Sequence, residues 1–178
     1  MNPVLFGEWT VHAVPGYPRM FRLHNPVGPD LWGADLDPGG NFGIPHKVVP
    51  CDDFVHDLSS SPWFLWLIYP PTAGKLAATI HDWGYRAHKL SVDELLVELS
   101  AWFDSMGWDY VVRVRYIDWL RAVTREQWDY VYYVLSAYDV EGPKRRWMAW
   151  KTLRAVGGIS WRLPSKSWTK VYREAKNG

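Results

Sequence analysis

A single cysteine, Cys51, occurs in 178 residues. One thiol cannot close a bridge within its own chain, which excludes a disulfide-stapled scaffold and fits a reducing compartment. Long apolar runs are missing as well. The longest, residues 63–69, falls far short of the roughly 18 residues that a membrane-spanning helix needs. The chain does not start with a basic stretch followed by an apolar one, so no signal peptide is expected. There is no internal repeat and no low-complexity tract. The formal net charge of +1 is uninformative by itself, but its distribution is uneven. From Lys144 onward ten Lys and Arg accompany one acid, Glu174, whereas the first 60 residues hold seven acids against Arg19, Arg22 and Lys47. That asymmetry favours contact of the C-terminal end with an acidic surface, or head-to-tail association.

Aromatic residues, in contrast, are abundant. With 13 Trp and 10 Tyr, the chain has more large rings than a core of this size needs, so part of the surface is expected to be a contact surface. The length fits one domain with a real core. Gly and Pro crowd the first third. Residues 1–41 read as an extended N-terminal arm punctuated by Pro15-Gly16, Asn25-Pro26, Gly28-Pro29 and Asp37-Pro38-Gly39-Gly40, with Trp9 and Trp32 left for a neighbouring subunit to cover. Residues 42–49 offer a short edge strand interrupted by Pro45, and the turn Pro50-Cys51-Asp52-Asp53 follows. Residues 42–161 form a single helical domain, and residues 162–178 a basic tail carrying Trp168 and Tyr172. The expected fold class is mainly α (α+β), a helical core with a small strand-and-loop N-terminal layer.

The segment Ala77-Ala78-Thr79-Ile80-His81-Asp82-Trp83-Gly84-Tyr85 organises this domain. Leu76, Ile80, Trp83 and Ala87 recur at helical spacing as one apolar stripe. His81 and Tyr85 fall beside that stripe and Asp82 on its other flank. Thr72 is placed to cap this helix. Gly84 costs about 1 kcal/mol in a helix interior relative to Ala, which points to close approach by another group. Ser91-Val92-Asp93-Glu94 is a capping box that opens a second helix bearing Leu95, Leu99, Trp102, Phe103 and Met106. A short link between the two predicts antiparallel packing that brings Asp93 to His81, where it would orient the ring through one N–H and leave the other nitrogen free. Gly107 ends this pattern, and residues 116–123 continue helically. Thr124-Arg125-Glu126-Gln127 is a second capping box, opening a helix with Trp128, Val131, Tyr132, Leu135 and Tyr138 on one face. Pro143 then begins a helix over 144–156 that Gly157 stops.

Val49-Pro50, Phe54, Asp57, Ser60 and Pro62, followed by the Ala-x-x-His-Asp-Trp-x-Tyr run, resemble a family of unknown function common in phages and prophages. That family is marked by V-P-x-G-F-x-T-D-x-A-S-x-P, A-x-x-H-D-W-L-Y and a later aspartate, for which Asp93 is the candidate. Residues 145–161 resemble its closing helix, and 109–144 read as an insertion. The chain departs from the pattern with Asp53 for glycine, His56 for threonine and Gly84 for leucine. The His-Asp run also resembles, more weakly, the centre of parvovirus-type phospholipase A2, which has A-A-x-x-H-D-x-x-Y and a subsequent aspartate. The resemblance implies a histidine that activates water and an adjacent aspartate that holds calcium.

Two function classes follow. In the first, His81 activates water for hydrolysis of a lipid or phosphoester, with Asp93 and Tyr85 orienting it and Asp82 and Asp57 holding a divalent cation, calcium by the phospholipase resemblance. His56-Asp57 and His81-Asp82 converging on one metal, as in His-Asp phosphohydrolases, is a variant of this class. In the second, the protein is a virion component, from capsid or tail, whose His-Asp motif is a buried polar clamp and whose partners are neighbouring virion subunits. Either reading places the protein in a virion or in the bacterial host cytoplasm, and neither needs a nucleic-acid partner. Ser59-Ser60-Ser61 lacks the strained turn of a serine nucleophile.

Overall fold

The computed structural model describes residues 3–37, 46–56, 74–140 and 142–162. Its N-terminal layer consists of two antiparallel three-stranded sheets. Strands β1 (Val4–Phe6), β4 (Gly33–Asp35) and β5 (Lys47–Val48) form one, in the order β1-β4-β5. Strands β2 (Thr10–Val14), β3 (Tyr17–His24) and β6 (Val55–His56) form the other, in the order β2-β3-β6. Gly16, at φ 79°, supplies the left-handed residue of the turn between β2 and β3. The edge position expected for the strand before Pro50 belongs to β5; residues 42–45 lie outside the described residues.

Asn25 joins the sheets. Its side-chain amide donates to the carbonyls of Trp32 (3.0 Å) and Pro50 (2.7 Å), and its side-chain oxygen accepts from the Trp32 N–H (2.7 Å). These bonds satisfy backbone groups that the irregular chain would otherwise bury unpaired. They also explain why the first third is no loose arm awaiting a neighbour. Trp32 is only 1% exposed, and it is buried in the main core together with Leu23, Ala34 and Leu36. Trp9 is partly buried, edge-on to Trp32 at 6.5 Å.

Six α-helices follow among the described residues: α1 (Lys75–Lys89), α2 (Val92–Glu98), α3 (Ser100–Ser105), α4 (Tyr110–Ala122), α5 (Arg125–Leu135) and α6 (Pro143–Arg162). A 3-10 turn, Ser136–Tyr138, extends α5. The fold is thus mainly helical, with a small strand layer, as expected. Both capping boxes form, Ser91 with Glu94 and Thr124 with Gln127. Gly107, at φ 64°, ends α3. The helix predicted to carry Leu95 through Met106 is broken at Leu99 into α2 and α3, with Met106 exposed. Helix α6 runs past Gly157 to Arg162, because a glycine within a helix is a cost and not a stop when the flanking turns pack. No helix among the described residues is long and apolar enough to cross a membrane.

The expected α1–α2 hairpin is replaced by a pairing of α1 with α5. Leu76 meets Asp139, just beyond α5, and His81 meets Asp129 within it, so α1 runs antiparallel to α5. Gly84 allows this approach, since a Cβ there would overlap the Trp128 ring. Helix α1 begins at Gly74 without a side-chain cap of its own. Asp139, at the end of the 3-10 turn after α5, caps it, Oδ2 accepting from the Leu76 N–H at 2.7 Å. Thr72 lies outside the described residues.

Candidate active site

His81 is 5% exposed, on the side of α1 that faces α5. Its Nε2 lies 3.2 Å from Asp129 Oδ1, and its Nδ1 lies 3.2 Å from Asp82 Oδ1. Tyr85, one turn along α1, donates its hydroxyl to the same Asp129 Oδ1 at 2.6 Å. The ring of Tyr132 stands edge-on to His81 at 5.7 Å. Asp129 is wholly buried, and its other oxygen faces Arg154 Nη1 of α6 at 3.6 Å. Arg154 Nη1 also lies 3.2 Å from Glu126, while Arg125 donates to the Arg154 carbonyl at 3.4 Å. A buried carboxylate is therefore flanked by an imidazole and a phenol from α1 and a guanidinium from α6, the setting in which a buried charge persists.

The protonation equilibria follow from this packing. Burial would lower the His81 pKa, but the hydrogen bonds and charges of Asp129 and Asp82 outweigh it, so the pKa is raised above 6.5. Burial would raise the Asp129 pKa. The hydrogen bonds from His81 and Tyr85, with the nearby positive charge, prevail and lower it. Burial first, and then the bond to Asp129, push the Tyr85 phenol far up, so it remains a donor.

Asp82 is the one partner with solvent access, its side chain being 29% exposed. On its side of α1 lies Thr79, whose hydroxyl sits 3.4 Å from the ring nitrogens of His56 on β6. His56 closes β6. It is fully buried in a strand, stacked on Phe54 at 5.4 Å. Burial lowers its pKa to about 4, and the Asp82 charge offsets only part of that shift. Arg86, one turn along α1 from Asp82, pairs with Glu98.

Of the residues singled out in the sequence, His81, Asp82 and Tyr85 come together and Asp93 does not. Asp93 is exposed in the first turn of α2, because α1 packs on α5 and the ring nitrogens of His81 meet Asp129 and Asp82 instead. The place beside His81 expected of Asp93 is taken by Asp129. Asp57 lies outside the described residues, as do residues 59–73 and the tail after Arg162. Asp129 and Arg154 were not anticipated. The signal for Asp129 is the one that marked His81: a charged group at the edge of an apolar helical stripe, here Trp128, Val131, Tyr132 and Leu135. Its i,i+4 spacing from Arg125 disguises it as an ordinary surface ion pair.

No protein-family model, curated protein or solved structure matches this chain. The geometry must therefore speak for the chemistry. Asp129 faces Nε2 and Asp82 faces Nδ1, both at 3.2 Å, so each carboxylate favours a proton on the nitrogen it faces, and Tyr85 fixes the Asp129 oxygen that faces Nε2. Nδ1 then points toward the side chain that reaches solvent. Among the described residues no group of three or more His, Cys, Asp or Glu side chains is arranged to hold a metal ion.

Proposed function

We propose that the His81–Asp129 pair is the centre of a hydrolase in a phage-type protein. His81 is the base, Asp129 orients it, and Tyr85 anchors Asp129. One observation carries this reading: a wholly buried carboxylate oxygen accepts from the Tyr85 hydroxyl and lies 3.2 Å from His81 Nε2, with Nδ1 beside the part-exposed Asp82. In both resemblances a later aspartate accompanies the His-Asp-x-x-Tyr run, and Asp129 takes that part in this reading. In the neutral ring, with its proton on Nε2 and Asp82 turned from Nδ1 toward solvent, Nδ1 accepts a proton from water as the water oxygen attacks an ester or phosphoester centre. The imidazolium so formed is stabilised by Asp129 and returns that proton to the leaving oxygen.

A divalent cation fits only in part. Asp82 supplies one carboxylate, but the described residues around it do not complete a cation site, so no step is routed through a metal.

The test separates base from scaffold. His81→Gln retains an amide donor toward Asp129 and abolishes the base. Wild type should turn over short-chain esters, phospholipids or phosphodiesters with and without calcium, and His81→Gln should lose at least about a hundredfold while keeping its fold. A wild type inert across that panel would sink the hydrolase.

A second reading is favoured by the engagement of both His81 nitrogens by carboxylates and by its near-complete burial. In that reading the cluster is an ionic clamp in a virion component. It calls for the protein to be found in purified particles and for His81→Gln to alter only stability.

A further inference from the structure

Helix α6 contains Lys144, Arg145, Arg146, Lys151, Arg154 and Arg162 and no acid. Helical spacing sets Lys144, Met148, Lys151 and Ala155 in one line, with Trp147 on one side and Arg145 on the other. All six are exposed, whereas Ala149 is buried and Arg146, Trp150, Leu153 and Arg154 are turned partly inward. Trp147 is 51% exposed and Met148 37%. The Lys151 ammonium lies 5.5 Å from the Trp147 ring and 5.1 Å from that of Trp150. The rings continue onto α5, with Trp150 5.7 Å from Tyr133 and Tyr133 6.4 Å from the exposed Tyr130.

A solvated helix face ordinarily mixes charges of both signs and keeps large apolar groups out of water. This one interleaves cations with a tryptophan and a methionine. Lys and Arg stems lie along apolar surface with their charges at the headgroup level, and Trp and Met enter the acyl boundary. Among the described residues this face is the outward side of a helix, whereas a nucleic-acid strand is ordinarily tracked by a groove. We propose that this face of α6 docks the protein on an anionic lipid surface. The inference deepens the hydrolytic reading by naming anionic phospholipid as the substrate class, and it rests on that reading for what is cut; binding itself needs no turnover. Arg154, one turn beyond Trp150, connects the docking helix directly to Asp129.

The experiment is co-sedimentation of the full chain with vesicles of mixed phosphatidylglycerol and phosphatidylcholine, and with phosphatidylcholine alone. Binding to the anionic vesicles should be about tenfold tighter or more, and should weaken as salt screens the contact. The exposed double variant Lys144→Glu/Lys151→Glu should lose about tenfold or more with an unchanged circular dichroism spectrum and melting curve. Trp147→Ser should weaken binding to the same vesicles. Equal binding to neutral vesicles, no binding to either, or indifference to the double variant would overturn the proposal. So would capture of single-stranded DNA in place of vesicles, or self-association that the double variant abolishes while vesicles go unbound. Turnover of a soluble short-chain substrate is read separately. Turnover without docking overturns only the surface, and docking without turnover overturns only the hydrolase.

Discussion

Gly84 of α1 lies directly against the indole of Trp128 on α5, with no room for even a methyl group between them. The contact sets the closeness of the two helices and so the reach from His81 to Asp129. Gly84→Ala would gain about 1 kcal/mol of helix propensity. Overpacking a fully buried tryptophan costs roughly 1 to 3 kcal/mol and distorts what lies nearby. The variant should be less stable in urea and lose activity out of proportion to its unfolded fraction. Unchanged or raised stability would show that the helices have slack.

Asp129→Asn preserves shape while removing the charge that supports an imidazolium. It should cut turnover by about a hundredfold or more, with a smaller loss of stability than Asp129→Ala. The alanine variant leaves Arg154 and His81 without their buried counter-charge, a loss of roughly 3 to 5 kcal/mol. Steady-state kinetics beside denaturant melts separate the two effects. Equal activity of Asp129→Asn and wild type would remove Asp129 from the site.

Stability should peak near the ordinary histidine pKa. His56 is lowered from 6.5 to about 4 by burial, so between those values the unfolded chain takes up a proton that the folded chain refuses. Stability therefore falls as pH drops through that window, by roughly 3 kcal/mol. His81 behaves oppositely. Its folded pKa is raised, so its contribution is full below 6.5 and disappears as pH rises through the folded value. Melts across pH should give a maximum whose acid side flattens in His56→Asn and whose alkaline side flattens in His81→Gln. A flat profile in wild type would contradict both environments.

Asn25→Ala should destabilise the strand layer by roughly 3 kcal/mol, because the Trp32 N–H and the Trp32 and Pro50 carbonyls would be left buried without partners. Hydrogen exchange should show the loss first around Trp32 and in β4. An effect confined to a few tenths of a kcal/mol would mean that water replaces the amide.

Local signals proved legible wherever the chemistry is local. Both capping boxes, the apolar stripe of α1 and the close approach at Gly84 follow from spacing alone, because propensity and capping act within a turn or two. Long-range pairing was not legible. Asp93 is only 12 residues from His81 and Asp129 is 48, yet the helix that packs on α1 is the distant one, selected by the fit of Trp128 into Gly84. The strand layer was misread for a related reason. Turn residues suggested a loose arm, but a single asparagine satisfies the irregular backbone and lets Trp32 enter the core.

The cap of α1 has a kinetic consequence. The helix that carries His81 starts at a left-handed glycine, and its first turn is completed by Asp139, 63 positions further along. Isolated helices of this length are marginal in water, and among the described residues no side chain preceding this one caps its beginning. A nascent chain that ends before α5 thus carries the histidine without its carboxylate and the helix without its cap. Both arrive together when the last third docks, so the site should become structured in one late, long-range closure that sets the pace of folding.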